Sequence, residues 1–242
     1  MMKNTANTVK MISTIVKLAI GLAAIATTVS GTLAVAQRAA VVEQNNFPIT
    51  LRVYDYAHVD QKALHAAERE AARILARAGV APHWVYCPTK QADVEKYPDC
   101  ASATHETEYT LRLLSGSMTT VQEKSQDVLG SAADCERGAC IVSVYYDRIK
   151  RLSGGDVVPS YVLTGRVMAR EVGQLLIGVR YQSRSGIMNA SWSYRQLGLL
   201  ASPEIVFSPV EANAMKARLA EREQASATHS AETGSGQLSQ VR

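Results

Sequence analysis

Hydrophobic residues recur along this chain at two spacings, and the changes between them divide the sequence into elements. From Ile49 to Tyr54, Ile, Leu and Val alternate with Thr, Arg and Tyr, the period-two pattern of a strand with one buried face. Leu64, Ala67, Ala71, Ile74, Leu75 and Ala78 then fall three and four residues apart. That spacing predicts a helix over Gln61–Ala78, with Asp60 as its N-cap and Gly79 closing it. His83–Tyr86 reads as a second strand, followed by a Pro- and Cys-bearing loop to Cys100. Alternation returns over Tyr109–Leu114, and Asp127–Ala132 and Ile141–Tyr146 read as two further strands. Tyr161–Ile177 carries apolar residues around most of its circumference, so it is expected to run through the core and stop at Gly178. A last helix is expected over Pro209–Arg222. Strand, helix, more strands and a buried helix together predict an α+β domain, with no internal repeat.

Composition changes the picture at the two ends. The chain has 242 residues, 47% of them apolar, enough for one domain with a real core and extensions. Lys3, Lys10 and Lys17 precede a stretch, Leu18 to Ala36, that is apolar or small throughout. Ala34-Val35-Ala36 then offers a small-x-small cleavage pattern, so residues 1–36 read as an export signal with Gln37 as the mature start. The competing reading is an uncleaved membrane anchor, since the apolar run approaches spanning length. Residues 37–48 read as a linker, 49–222 as the domain, and 223–242, rich in Ala, Ser, Thr, Gly and Gln, as a disordered tail.

Net charge is +4, and removal of the three signal lysines lowers it to +1. A near-neutral chain gives no electrostatic reason to expect nucleic acid or an anionic membrane as partner. The expectation is an exported protein, periplasmic or extracellular, without stable membrane insertion after cleavage. Cys87, Cys100, Cys135 and Cys140 fit that compartment as disulfides. Four cysteines allow three pairings, and proximity favours Cys87–Cys100 and Cys135–Cys140. A zinc knuckle is the alternative, but no Cys-x-x-Cys pair exists.

The most informative segment is Arg170-Glu171-Val172-Gly173-Gln174-Leu175-Leu176-Ile177-Gly178, continuing to Gln182-Ser183-Arg184-Ser185-Gly186-Ile187-Met188. It resembles the active-site stretch of zincin metallopeptidases, in particular small exported bacterial proteins with a His-Glu-Ile-Gly-His-Leu-Leu-Leu-Gly core. In those proteins a third histidine and a Gly-Ile-Met turn follow. The resemblance extends loosely over residues 48–220, through Trp84 with Cys87, Tyr97-Pro98, Tyr145-Tyr146-Asp147-Arg148 and Trp192. It implies a zincin-like fold, a mixed sheet packed on a buried active-site-type helix, with a Met-turn at Gly186, Ile187 and Met188.

In zincins, two histidines at i and i+4 grip zinc from one helix face and the intervening Glu acts as general base on the metal-bound water. Here the residue aligned with the first histidine is Arg170, with the second Gln174 and with the third Gln182, or Arg180 under strict metzincin spacing. Arginine has no lone pair to donate, and glutamine offers only a neutral amide oxygen. Glu171 is thus left as a vestigial general base, and no metal or other cofactor is expected where the family holds zinc. His58, His65, His83, His105 and His229 all lie outside the motif.

These residues imply a catalytically inactive relative of zinc metallopeptidases, a non-enzyme that binds or scaffolds a peptide or protein partner. The alternatives are an active zinc peptidase with non-standard ligands, or a structural envelope protein on the same fold. Trp84 and Trp192 are expected as core or pocket-wall aromatics and Asp147 as a helix cap. Arg166 and Arg170, at i and i+4, are a candidate positive face. Ser183 and Ser185 have no neighbouring His to activate them.

Overall fold

A computed structural model describes residues 46–102, 105–119, 128–133, 140–154, 158–183, 185–189 and 201–236, all within one unit spanning residues 45–242. Residues 1–45, expected to hold the signal and most of the linker, lie outside the described residues, as do Cys135 and Trp192.

Strand β1 (Phe47–Asp55) leads through helix α1 (Gln61–Arg77) to β2 (Val80–Cys87), which returns parallel to it. A 3-10 turn (Gln91–Lys96) and the short α2 (Pro98–Ala101) follow. Then come β3 (Glu108–Leu114), α3 (Gly116–Thr119), β4 (Gly130–Ala133), β5 (Ile141–Tyr145), α4 (Tyr146–Ser153), α5 (Ser160–Ile177) and α6 (Pro209–Gly236). The sheet order is β2-β1-β3-β5-β4, parallel except for β4, which runs antiparallel to β5 along one edge.

The alternation predicted for β1 is borne out: Ile49, Leu51 and Val53 are buried in one cluster with Leu64, Ala71, Ile74 and Leu75 of α1 and Leu163, Val167 and Val172 of α5. Their partners across the sheet, Leu111 and Leu113 on β3 and Val142 and Val144 on β5, are fully buried on the same face. Asp60 caps α1 as expected, its carboxylate accepting the Ala63 N–H at 3.0 Å. Before it, Asp55 accepts the N–H groups of Ala57 and Val59 and so shapes the turn out of β1. Helices α1 and α5 cross where Gly165 lacks a side chain: a Cβ there would lie 2.3 Å from the Ala67 carbonyl oxygen. Thirteen of the eighteen residues of α5 are buried, as its all-round apolar pattern predicts.

Several expectations are corrected. Strand β1 begins at Phe47, inside the expected linker, because Phe47 already donates to the Gly79 carbonyl at 2.9 Å. Pro48 is tolerated there because pairing with β3 starts only at Thr50. Tyr146 opens α4 instead of closing β5. Asp147 does not cap α4. It sits in the first turn and accepts the Gly116 N–H at 2.5 Å, tying α4 to α3. Helix α6 runs to Gly236, past the expected stop at Arg222 and through most of the segment read as a disordered tail. Ala, Glu, Gln and Arg over 220–225 carry strong helix propensity, which continues a helix already anchored by burial. That anchor is the stripe Glu211, Met215, Leu219 and Arg222, all buried. Arg222 donates to the Tyr109 hydroxyl at 3.0 Å and to the Glu106 carbonyl at 3.1 Å.

A disulfide joins Cys87, at the end of β2, to Cys100 in α2, with Cα atoms 5.7 Å apart. Cys140 is also disulfide-bonded. Beside the first bridge, Arg52 of β1 is buried and binds Glu108 at 2.7 Å and the Ser102 carbonyl at 2.9 Å. Among the described residues no helix is long and apolar enough to cross a membrane.

Candidate functional site: the buried helix and the turn beside it

The residues singled out by the sequence lie in the last two turns of α5 and in the turn that follows. Glu171 is 2% exposed, enclosed partly by β4: a Cβ on Gly130 would lie 2.8 Å from Glu171 Cγ and 2.7 Å from Val167 Cγ1. Only a glycine lets that edge strand pass so close to the helix.

Arg170 binds its neighbour. Its Nη1 donates to Glu171 Oε1 in an ion pair whose side chains are 17% and 3% exposed. Its Nε also reaches the Asn189 carbonyl at 3.4 Å. Gln174, one turn further on, donates through Nε2 to the Tyr181 carbonyl at 2.8 Å. Tyr181 in turn donates its hydroxyl to Glu211 Oε1 at 3.2 Å. Glu211 and Ser208 form a reciprocal capping box at the start of α6, with Glu211 accepting the Ser208 N–H at 2.7 Å and Ser208 accepting the Glu211 N–H at 3.3 Å. Arg170 and Gln174 are therefore wired to the loop after α5, and through Tyr181 to the head of α6. Gln182 is exposed and makes no part of this network.

Gly178 ends α5 with φ 134°. The turn at Gly186, Ile187 and Met188 is closed by Asn189 N–H to the Gly186 carbonyl at 3.3 Å. Gly186 has φ 65°, a left-handed value that side chains with a Cβ resist. Ile187 and Met188 are fully buried. Met188 lies against α5: its Sδ would be 3.2 Å from a Cβ on Gly173, and the Phe207 ring would be 2.4 Å from it. Arg170, Glu171, Gly173, Gln174 and Met188 thus converge, while Gln182 and the exposed Arg180 stay outside.

The expected positive face is corrected. Arg166 is 3% exposed and its Nε binds Glu70 Oε1 at 2.8 Å, while Arg170 binds Glu171. Burial pushes the Glu70 carboxyl up, but hydrogen bonds from Arg73 and Arg166 outweigh it and hold that carboxyl below its ordinary range. Sequence reasoning missed Gly130, Tyr181, Asn189, Phe207 and Glu211. Only the Ser208-Pro209-Val210-Glu211 capping pattern was legible in advance.

A zinc ion of the kind the resemblance implies does not fit these residues. The Arg170 guanidinium has no lone pair, Gln174 turns its NH2 group to a carbonyl, and Gln182 offers a neutral amide at the surface. Among the described residues no three of His, Cys, Asp and Glu stand close enough to hold a metal together.

No known protein-family profile matches the chain, and no curated protein matches it. Among solved structures it is similar to archaemetzincin from Methanopyrus kandleri, with 14% identity, a TM-score of 0.42, and coverage of 74% of this chain and 98% of that one.

Proposed function

We propose that this chain is an exported, zincin-like protein in which Arg170 and Gln174 occupy the metal-gripping positions of the central helix and Arg170 pairs with Glu171. On this reading it acts by binding or scaffolding a peptide or protein and not by hydrolysis. The observation that carries the reading is the Arg170–Glu171 pair. The carboxylate that would act as general base is engaged by a permanent cation, and a neighbouring arginine has no means of acidifying a water as zinc does. Gly130 brings the antiparallel edge strand β4 beside that pair, and a peptide added along such an edge would gain main-chain hydrogen bonds next to the former catalytic residue. Three disulfide-bonded cysteines, Cys87, Cys100 and Cys140, support export to an oxidising compartment.

The test is to restore the ligands. Arg170→His and Gln174→His together are expected to create zinc binding near one equivalent, measured by calorimetry on the chelator-stripped protein. A folded double variant that takes up no zinc counts against the zincin-like reading. Peptide hydrolysis by the wild-type chain, abolished by chelator and by Glu171→Gln, would overturn the non-enzyme reading.

A further inference from the structure

A second polar cluster lies away from the Arg170–Glu171 pair, where α1 meets edge strand β2. His65 and Glu68 stand one helical turn apart on α1, and Tyr86 reaches them from β2. Three donor atoms form a small triangle: His65 Nδ1 to Glu68 Oε2 is 3.1 Å, Tyr86 Oη to Glu68 Oε2 is 2.6 Å, and Tyr86 Oη to His65 Nδ1 is 3.0 Å. The cluster is open on one side and closed on the other. The His65 side chain is 52% exposed and Tyr86 44%, whereas the Glu68 side chain is 6% exposed. Glu68 Oε1 is buried without a hydrogen-bond partner, and no Lys or Arg forms an ion pair with this carboxylate among the described residues. A buried carboxylate held only by a phenol and a neutral or protonated imidazole lacks the cation that would offset its desolvation.

We propose that His65, Glu68 and Tyr86 bind one divalent first-row transition ion. Atoms spaced 2.6–3.1 Å subtend roughly right angles at an ion about 2.1 Å from each, which is one face of an octahedron. The opposite face points to the solvent side, where His65 and Tyr86 are exposed, and leaves three positions for water. One imidazole nitrogen with two oxygens suits Zn2+, Ni2+ and Cu2+, with Cu2+ bound most tightly. In the metal-free cluster the Tyr86 hydroxyl keeps its proton and donates it to Glu68 Oε2 at 2.6 Å. On loading, the Tyr86 O–H bond breaks, the phenolate oxygen gives its lone pair to the ion, and the proton passes to the buffer. Affinity therefore rises with pH and one proton is released per ion bound.

The experiment uses the full chain without an affinity tag, stripped with chelator and titrated with Cu2+ by calorimetry and visible absorption. One equivalent is expected to bind, with a phenolate-to-copper charge-transfer band and one proton released when buffers of different ionisation heat are compared. Tyr86→Phe is expected to remove the band, and His65→Ala and Glu68→Gln each to weaken binding at least tenfold. Tyr86→Phe keeps the ring, so it serves if Glu68→Gln fails to fold by far-UV circular dichroism. No stoichiometric uptake by the wild type, or uptake and a band unchanged in Tyr86→Phe and His65→Ala, overturns the proposal. Zinc uptake by the histidine-restored α5 helix is measured with His65→Ala present, so each site is read without the other.

Discussion

Glu171 shows how a neighbouring side chain sets the chemistry of a buried carboxylate. A carboxylate 2% exposed needs a counter-charge, and Arg170 supplies it from the adjacent position on the helix. Arg170→Met removes that guanidinium and should cost about 3 kcal/mol, the lower end for a broken buried pair, because Arg170 remains partly solvated. Adding Glu171→Leu should recover most of the loss, since an apolar pair of similar volume needs no counter-charge. Urea unfolding of both single variants and the double closes the cycle. If Arg170→Met is neutral, the pair is not what holds Glu171 in the core.

At the scale of elements, α5 is fixed by close approaches to three partners: α1 at Gly165, β4 at Gly130, and the Met188 turn with Phe207 at Gly173. Gly165→Ala places a methyl group against backbone, which cannot rotate away, so a loss of about 3 kcal/mol is expected in thermal or urea unfolding. The same pair of helices carries the Glu70 network, in which Arg73 and Arg166 share one carboxylate. Because the Glu70 carboxyl is held below its ordinary range, its stabilisation is complete above that range and is lost as pH falls through the lowered value. Glu70→Gln should therefore melt below wild type at neutral pH, with the gap narrowing below about pH 4. A pH series of melting temperatures for both proteins checks this, and a gap independent of pH would contradict it.

For the whole molecule, the Cys87–Cys100 bridge closes a loop with a sequence separation of 13 and holds α2 against the end of β2. Loop-closure entropy assigns it about 3 kcal/mol. The double change Cys87→Ser with Cys100→Ser should lower the free energy of unfolding in urea by that amount, and reduction, which also opens the bridge at Cys140, should lower it further. Periodicity was sufficient to locate β1, α1, β3 and α5, because in each the buried face repeats at a fixed spacing that is local in the chain. The resemblance to the zincin stretch is what singled out Arg170, Glu171, Gln174 and the Gly186–Met188 turn, and spacing adds only that Arg170 and Gln174, four apart on a helix, share a face in any fold. Which partner each side chain takes was not legible. Asn189 on Arg170, Tyr181 on Gln174, Glu70 on Arg166 and Tyr86 on Glu68 lie between 7 and 96 residues away, and Gln182, matched by spacing, turns out to be exposed. Those pairings depend on where the sheet, the helices and the loop after α5 come to lie against one another, a product of tertiary packing that no local spacing encodes.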